Sequence, residues 1–283
     1  MLDEIEKAKS LKIKAYYRME KIEEADELLR ESSLSETPEI YFYRGNARLK
    51  ENDFRTAIEY YNQALTLDSE FGPALLNKAF ALQHIGEFNE SLKFYEKGLS
   101  ILPDAYDAWT NYANMLARTG KIKEALSALD KAIELKDDYA ISWYNKGVIL
   151  AKINQFGDAL RSLDRALQLD KELFEAQKLK TFLLYTMGKY SEADNLVNEV
   201  ITKSPKDPTL WCLKGSILAE LKKFNDAEQA VKEALTLAPE FVDAQLMHAK
   251  LLTRMERFEE AEKIVQEILK MEKRFECYEI LAE

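Results

Sequence analysis

The sequence predicts an all-α fold built from stacked antiparallel helix pairs. The octets WYNKGVIL (143–150) and WCLKGSIL (211–218) share five residues and lie 68 residues apart, which is twice 34. Small and apolar residues recur with the same 34-residue period along most of the chain. No segment shows the polar–apolar alternation of a β-strand. Nine Gly and six Pro among 283 residues are few for a loop-rich or β-rich protein.

The period runs through seven units without insertion or deletion when Pro38 is taken as position 1. Position 8 is small in every unit: Gly45, Ala79, Ala113, Gly147, Thr181, Gly215 and Ala249. Position 20 is Ala in six units and Ser91 in the remaining one. The predicted units are 38–71, 72–105, 106–139, 140–173, 174–207, 208–241 and 242–275. We expect one solenoid over 1–283, with an atypical short unit at 6–37, where Ala15 matches position 8, and a further or capping helix beginning in 276–283.

Each unit contains two helical patterns. Positions 4, 8 and 11 form one apolar stripe, and positions 17, 20, 21, 24, 27, 28 and 30 form a second. Position 15, between them, is Gly or Asn in five of the seven units, which favours the left-handed conformation that ends a helix. Pro103, Pro205 and Pro239 stand at position 32, where Pro separates one helix from the next. Because a lone helix pair cannot bury its apolar face, the units must stack into a continuous core.

Composition excludes several classes of protein. A formal net charge of −10 argues against sequence-independent nucleic-acid binding, although it leaves a local basic patch possible. The only two cysteines, Cys212 and Cys277, form neither the cysteine pattern of a disulfide framework nor the spacing of a metal site, which favours a reducing compartment. No apolar signal core begins the chain, and no apolar run approaches the roughly 20 residues that span a membrane. We therefore expect a cytoplasmic protein that binds no membrane, no metal and no cofactor.

The repeat resembles the tetratricopeptide repeat, which has Trp at position 4, Leu-Gly at 7–8, Tyr at 11, Ala at 20, Phe at 24, Ala at 27 and Pro at 32. Trp109, Trp143 and Trp211 match position 4, whereas the other units depart from it with Tyr41, Leu75, Gln177 and Gln245. Position 7 also departs, being Lys in four units, where the aliphatic stem can cover apolar surface. The resemblance implies a right-handed superhelical α-solenoid whose first helices line a concave groove for a peptide or a partner helix.

The resemblance places positions 2, 5, 6, 9, 12 and 13 of each unit on this groove. Position 6 is Asn in three successive units, and position 9 adds two more, so the predicted ladder is Asn46, Asn77, Asn111, Asn114 and Asn145. An amide that both donates and accepts suits a peptide backbone of any sequence. The alternative is that Asn at position 6 is merely common in the family.

Position 13 carries cations along the first four units, and Lys50, Arg118 and Lys152 are the predicted ligand residues. His84 completes this column. The six groove positions together hold six Lys or Arg and five Asp or Glu, so the groove is near neutral in an acidic chain. This pattern favours an acidic ligand or a C-terminal carboxylate. The alternative is that the cations only complement the helix dipole, by roughly 0.3–1 kcal/mol each.

The C-terminal half has an apolar strip instead, predicted to comprise Leu179, Phe182, Leu213, Leu246 and Met247. Such a strip suits the apolar face of an amphipathic helix, and Met adapts to varied partners. The strip fits equally well a segment of this chain that folds back onto it.

The sequence predicts no catalytic function. His84 and His248 fall at different positions of distant units, and no nucleophile, metal or phosphate-loop motif occurs. We expect a scaffold or adaptor that binds a peptide or helix of a partner protein. The alternative is an architectural protein that self-associates through the solenoid ends, with Tyr278 and Ile280 near the C-terminal end.

Overall fold

The computed structural model describes residues 2–19, 21–31 and 37–271, with side chains from residue 7 to residue 269 outside the same two gaps. These residues form helices and no strands, which confirms the predicted all-α fold. The helices are α1 Leu2–Arg18, α2 Ile22–Arg30, α3 Pro38–Lys50, α4 Phe54–Leu67, α5 Gly72–His84, α6 Phe88–Ile101, α7 Tyr106–Arg118, α8 Ile122–Leu135, α9 Ala140–Lys152, α10 Phe156–Leu169, α11 Phe174–Thr186, α12 Tyr190–Lys203, α13 Pro208–Glu220, α14 Phe224–Leu237, α15 Val242–Arg254 and α16 Phe258–Met271.

From Pro38 onwards the helices follow the 34-residue period. The first helices begin at 38, 72, 106, 140, 174, 208 and 242, and the second helices begin 16 residues later in every case. The turn between them contains one residue at position 15 with φ between 59° and 87°. Lys222 and Glu256 adopt this left-handed conformation together with the Gly and Asn residues of the other five units. The tight turn therefore imposes the conformation even where the side chain disfavours it.

Small residues let the two helices of a pair approach closely. Five of the alanines at position 20 are fully buried: Ala57, Ala125, Ala159, Ala193 and Ala227. Gly45 lies against the ring of Tyr61, where an added Cβ would stand 2.5 Å from a ring carbon. Any larger residue at these positions would force the helices apart, and close packing in the core tolerates little such displacement.

The chain divides into two compact units, residues 1–149 and 150–283, with the division inside α9. In the first unit α3 packs on α4, α5 on α6 and α7 on α8, and the first helices α3, α5 and α7 also contact one another in sequence. In the second unit the same pattern joins α11 with α12, α13 with α14 and α15 with α16, and links α11, α13 and α15. Each unit thus presents a row of neighbouring first helices.

From α7 onwards, the side chain at position 4 bonds the turn that precedes each first helix. The indole Nε1 of Trp109 donates to the carbonyl of Pro103 at 2.8 Å, and Trp211 repeats this bond with Pro205 at 2.8 Å. Gln177 and Gln245 make the equivalent bond through Nε2, at 2.7 and 2.8 Å. The two glutamines at position 4 therefore keep the donor of the family's tryptophan and lose its ring.

The two ends of the chain depart from the regular repeat. Helix α2 has nine residues, against 14 for the later second helices. Ile13 and Tyr17 are buried in α1, whereas Ala15 is exposed, so matching Ala15 to position 8 was wrong. The predicted C-terminal helix in 276–283, with Tyr278 and Ile280, lies outside the described residues.

Candidate functional site

The first unit contains a cavity of about 380 Å³ that opens on the row of first helices. Its apolar walls come from α3, α5 and the end of α6, and they include Leu49, Pro73, Leu76, Phe80 and Leu102. Asn77 of α5, Tyr95 of α6, and Asp107 and Asn111 of α7 provide its polar groups. Because Asp107 and Asn111 are four residues apart on one helix, they share the face of α7 that borders the cavity. The volume and the lining of this cavity suit one or two side chains of a ligand.

The predicted asparagine ladder is only partly available to a ligand. Asn77 Nδ2 donates to Asn46 Oδ1 at 2.7 Å, and the hydroxyl of Tyr61 donates to the same oxygen at 2.8 Å. This pair therefore joins α3 to α5. Asn145 is buried, with 9% of its surface exposed. Asn111 is half-buried at the cavity and has no hydrogen-bond partner in the described part of the chain, and Asn114 is half-buried one turn further along α7.

Asp107 supplies the charge of the cavity. Among the described residues that line the cavity it is the one with a charged side chain, it is exposed, and it forms no ion pair with any of them or with any other described residue. It lies in the first turn of α7, where the helix dipole stabilises a carboxylate. Burial raises the pKa of Tyr95 strongly, and the negative charge of Asp107 raises it further. The field of Asp107 therefore reaches the cavity wall, a feature hidden when charges are summed over the whole groove.

The predicted cations lie at the ends of the first helices. Lys50, Arg118 and Lys152 are exposed in the last turns of α3, α7 and α9, where cations complement the helix dipole. The guanidinium of Arg118 lies 4.4 Å from the centre of the Phe88 ring, a cation–π contact. His84 stacks on Phe54, with ring centres 4.5 Å apart. Arg118 and His84 thus pack against aromatic rings, and none of the four residues lines the cavity.

In the second unit the apolar strip is partly exposed. Phe182 of α11 is 52% exposed, and Leu179, Leu213 and Met247 are half-buried on α11, α13 and α15. Leu246, in contrast, is only 6% exposed because it packs with Val265 and Ile268 of α16. Including Leu246 in the strip was therefore wrong: position 5 points into the core there.

The described residues contain no group of three or more His, Cys, Asp or Glu that could hold a metal ion. Burial raises the pKa of the Cys212 thiol to about 11, so this thiol stays protonated near neutral pH. None of the helices described is both long and apolar enough to cross a membrane.

Comparison with known proteins decides the family. Models described as "Tetratricopeptide repeat" match residues 38–71, then 76–140, 116–174 and 183–240, and finally 218–282. The chain belongs to the tetratricopeptide repeat family. The resemblance seen in the sequence is thus confirmed over nearly the whole of the regular repeats. Among curated proteins, no sequence match to this chain was found.

Solved structures of tetratricopeptide repeat proteins share this fold. PilW, described as a type IV pilus biogenesis factor, is 22% identical, with a TM-score of 0.67 over 75% of this chain and 98% of its own. PilF of Pseudomonas aeruginosa is 18% identical, with a TM-score of 0.68 over 75% of this chain and 97% of its own. YrrB, described as a tetratricopeptide repeat protein with an unusual peptide-binding site, is 25% identical, with a TM-score of 0.58 over 67% of this chain and 97% of its own.

Proposed function

We propose that this protein is a non-catalytic interaction scaffold that binds a segment of a partner protein on the first helices of residues 1–149. The observation that carries the proposal is the Asn111 amide, which has no partner in the described residues and lies beside an apolar cavity of about 380 Å³. A partner side chain enters the cavity, and its backbone bonds the amide.

The chemistry of the cavity suits such a segment. An amide presents a donor and an acceptor, which a peptide group matches whatever the neighbouring side chains are. The apolar walls stabilise one buried side chain at roughly 25 cal/mol per Å² of apolar surface removed from water. The peptide-binding site described for YrrB, the most similar in sequence of the structures above, also supports this proposal.

The apolar strip of residues 150–283 extends the proposal to a second contact surface. Leu179, Phe182, Leu213 and Met247 are exposed or half-buried and project from three neighbouring first helices. Apolar side chains of a partner, spaced along one face of a helix, would cover them. Phe182, as the most exposed, is the residue that we expect to lose most surface on binding.

Affinity purification from the native cell extract tests the proposal, with Asn111→Ala compared with wild type. Loss of the amide hydrogen bonds should lower the yield of a specific partner by about tenfold, the equivalent of about 1.4 kcal/mol. Because Asn111 is only half-buried, the melting temperature of the Asn111→Ala protein should stay within a few degrees of wild type.

Asn89→Ala is the matched control, since Asn89 is exposed on α6 and does not line the cavity. It should bind like wild type. Equal recovery of the partner by all three proteins would refute the Asn111 site and direct attention to the Phe182 strip.

A further inference from the structure

We infer that the partner segment carries a lysine or arginine side chain, whose aliphatic stem fills the cavity and whose cation meets Asp107. This inference rests on the proposed function and names the chemistry of its ligand. It reverses the expectation of an acidic ligand or a C-terminal carboxylate drawn from the groove charges.

The walls of the cavity fit the stem of such a side chain. Leu76 and Phe80 lie one turn apart on α5, and Leu49 and Leu102 close the cavity from α3 and α6. Four methylene groups can lie against these side chains while the charged end remains near the rim. An aromatic wall such as Phe80 also attracts a cation.

The charges around the cavity favour a positive end group. Asp107 borders the cavity without an ion-pair partner, and no Lys, Arg or His lines the cavity with it, in the part of the chain that the structure describes. The cations predicted to attract a carboxylate do not line the cavity, and one of them, Arg118, lies over Phe88. A carboxylate in the cavity would thus meet one negative charge and no compensating positive one.

The position of Asn111 gives the segment its orientation. Asn111 is one helical turn beyond Asp107 on α7, so the two groups are neighbours on one face. A cation at Asp107 places the peptide backbone along the rim, where the Asn111 amide bonds it. The pair therefore recognises the side chain and the main chain of one residue.

Three blocked pentapeptides test this, each acetyl-Gly-Ser-Xaa-Ser-Gly-amide, with lysine, norleucine or glutamate as Xaa. Norleucine has the four-carbon stem of lysine without the ammonium group. The side-chain amide resonances of Asn111, recorded by NMR in the whole protein, report binding at the cavity. The lysine peptide should bind on the order of fivefold more tightly than the norleucine peptide, and the glutamate peptide most weakly.

Asp107→Asn should reduce the preference for lysine over norleucine to less than about twofold, because it removes the charge and keeps the shape. Asp104→Asn makes the same charge change at an exposed residue that does not line the cavity, and it should keep the preference. Equal binding of the lysine and norleucine peptides, with the Asn111 resonances still shifted, would overturn the inference and leave the proposed function standing. No shift of Asn111 with any of the peptides would overturn both.

Discussion

Gln177 and Gln245 replace the tryptophan of the repeat pattern and show which property of that residue the structure needs. Each donates from Nε2 to a carbonyl in the preceding turn, as Trp109 and Trp211 do from the indole. In both glutamines the carboxamide oxygen Oε1 is buried without a hydrogen-bond partner among the described residues. The donor is thus preserved at the cost of an unsatisfied acceptor.

Gln177→Trp should therefore stabilise the protein. A cavity of about 540 Å³ lies beside Gln177, bordered also by Lys171, Asn198 and Thr202. An indole keeps the bond to the Lys171 carbonyl, removes the unsatisfied oxygen and occupies part of this space. We expect a gain of about 0.5–2 kcal/mol in the free energy of unfolding, measured by urea denaturation.

Gln177→Leu is the control, because leucine adds apolar volume but cannot donate. Its loss of the bond to the Lys171 carbonyl should destabilise the protein by about 1–3 kcal/mol. A leucine variant as stable as the tryptophan variant would show that volume matters at this position and the hydrogen bond does not.

Individual residues show which features of the structure can be predicted from the sequence and which cannot. The repeated small residue at position 20 predicts buried, closely packed helices, since only packing explains a 34-residue recurrence of Ala. The bond between Asn46 and Asn77 could not be predicted, because it joins side chains 31 residues apart whose rotamers depend on Tyr61. Position 15 of the sixth unit, Lys222, was missed because nothing in a lysine indicates positive φ. The role of Asp107 at the cavity could not be predicted, because a sum of charges along the groove does not show which charges lie close to the cavity.

At the scale of helices, one buried carboxylate of α14 joins α15 and Arg257, the residue that precedes α16. Glu228 is 8% exposed, with Arg257 Nη1 at 2.8 Å and Lys232 Nζ at 2.7 Å from its oxygens. His248 Nε2 lies 3.5 Å from the same carboxylate. Burial alone would raise the pKa of Glu228, but the hydrogen bonds from Lys232 and Arg257 and the charge of Lys232 outweigh it and lower the pKa to about 2.

The lowered pKa of Glu228 predicts a defined loss of stability in acid. A carboxylate with a lower pKa in the folded state stabilises the protein fully above its ordinary pKa of 4.5, and this stabilisation is lost as the pH falls towards 2. Glu228→Gln should cost about 1–3 kcal/mol at pH 7. Its free energy of unfolding should also fall less steeply than that of wild type between pH 4.5 and pH 2, as measured by urea denaturation at each pH.

Glu233→Gln is the control for this experiment, since Glu233 is an exposed glutamate on α14 without an ion pair among the described residues. Parallel pH profiles for wild type and Glu228→Gln would contradict the assignment of the acid sensitivity to Glu228.

At the scale of the whole molecule, the contacts are local in sequence. In both compact units helices contact their neighbours in sequence or the helix after next, as α13 contacts α12, α14, α11 and α15. A protein of this kind is stabilised by the sum of its repeats and of the interfaces between neighbouring repeats. A destabilising substitution in one repeat should therefore also destabilise the neighbouring repeats, and this effect should decrease with distance along the chain.

Ala159→Arg tests this directly, because Ala159 is fully buried in α10 and an arginine there must either bury its charge or separate the helices. We expect a destabilisation of more than about 4 kcal/mol, measured by denaturation, since charge burial and overpacking act together. Hydrogen exchange followed by mass spectrometry should show protection lost first in α10 and α11, which pack on each other, while α5 and α6 keep theirs.

Asn198→Arg is the matched control, because Asn198 is exposed on α12, and it should leave both measurements near wild type. An even loss of protection from α3 to α16 would instead show that the protein unfolds as one cooperative body, and an unchanged melting temperature would refute the assignment of Ala159 to the packed face.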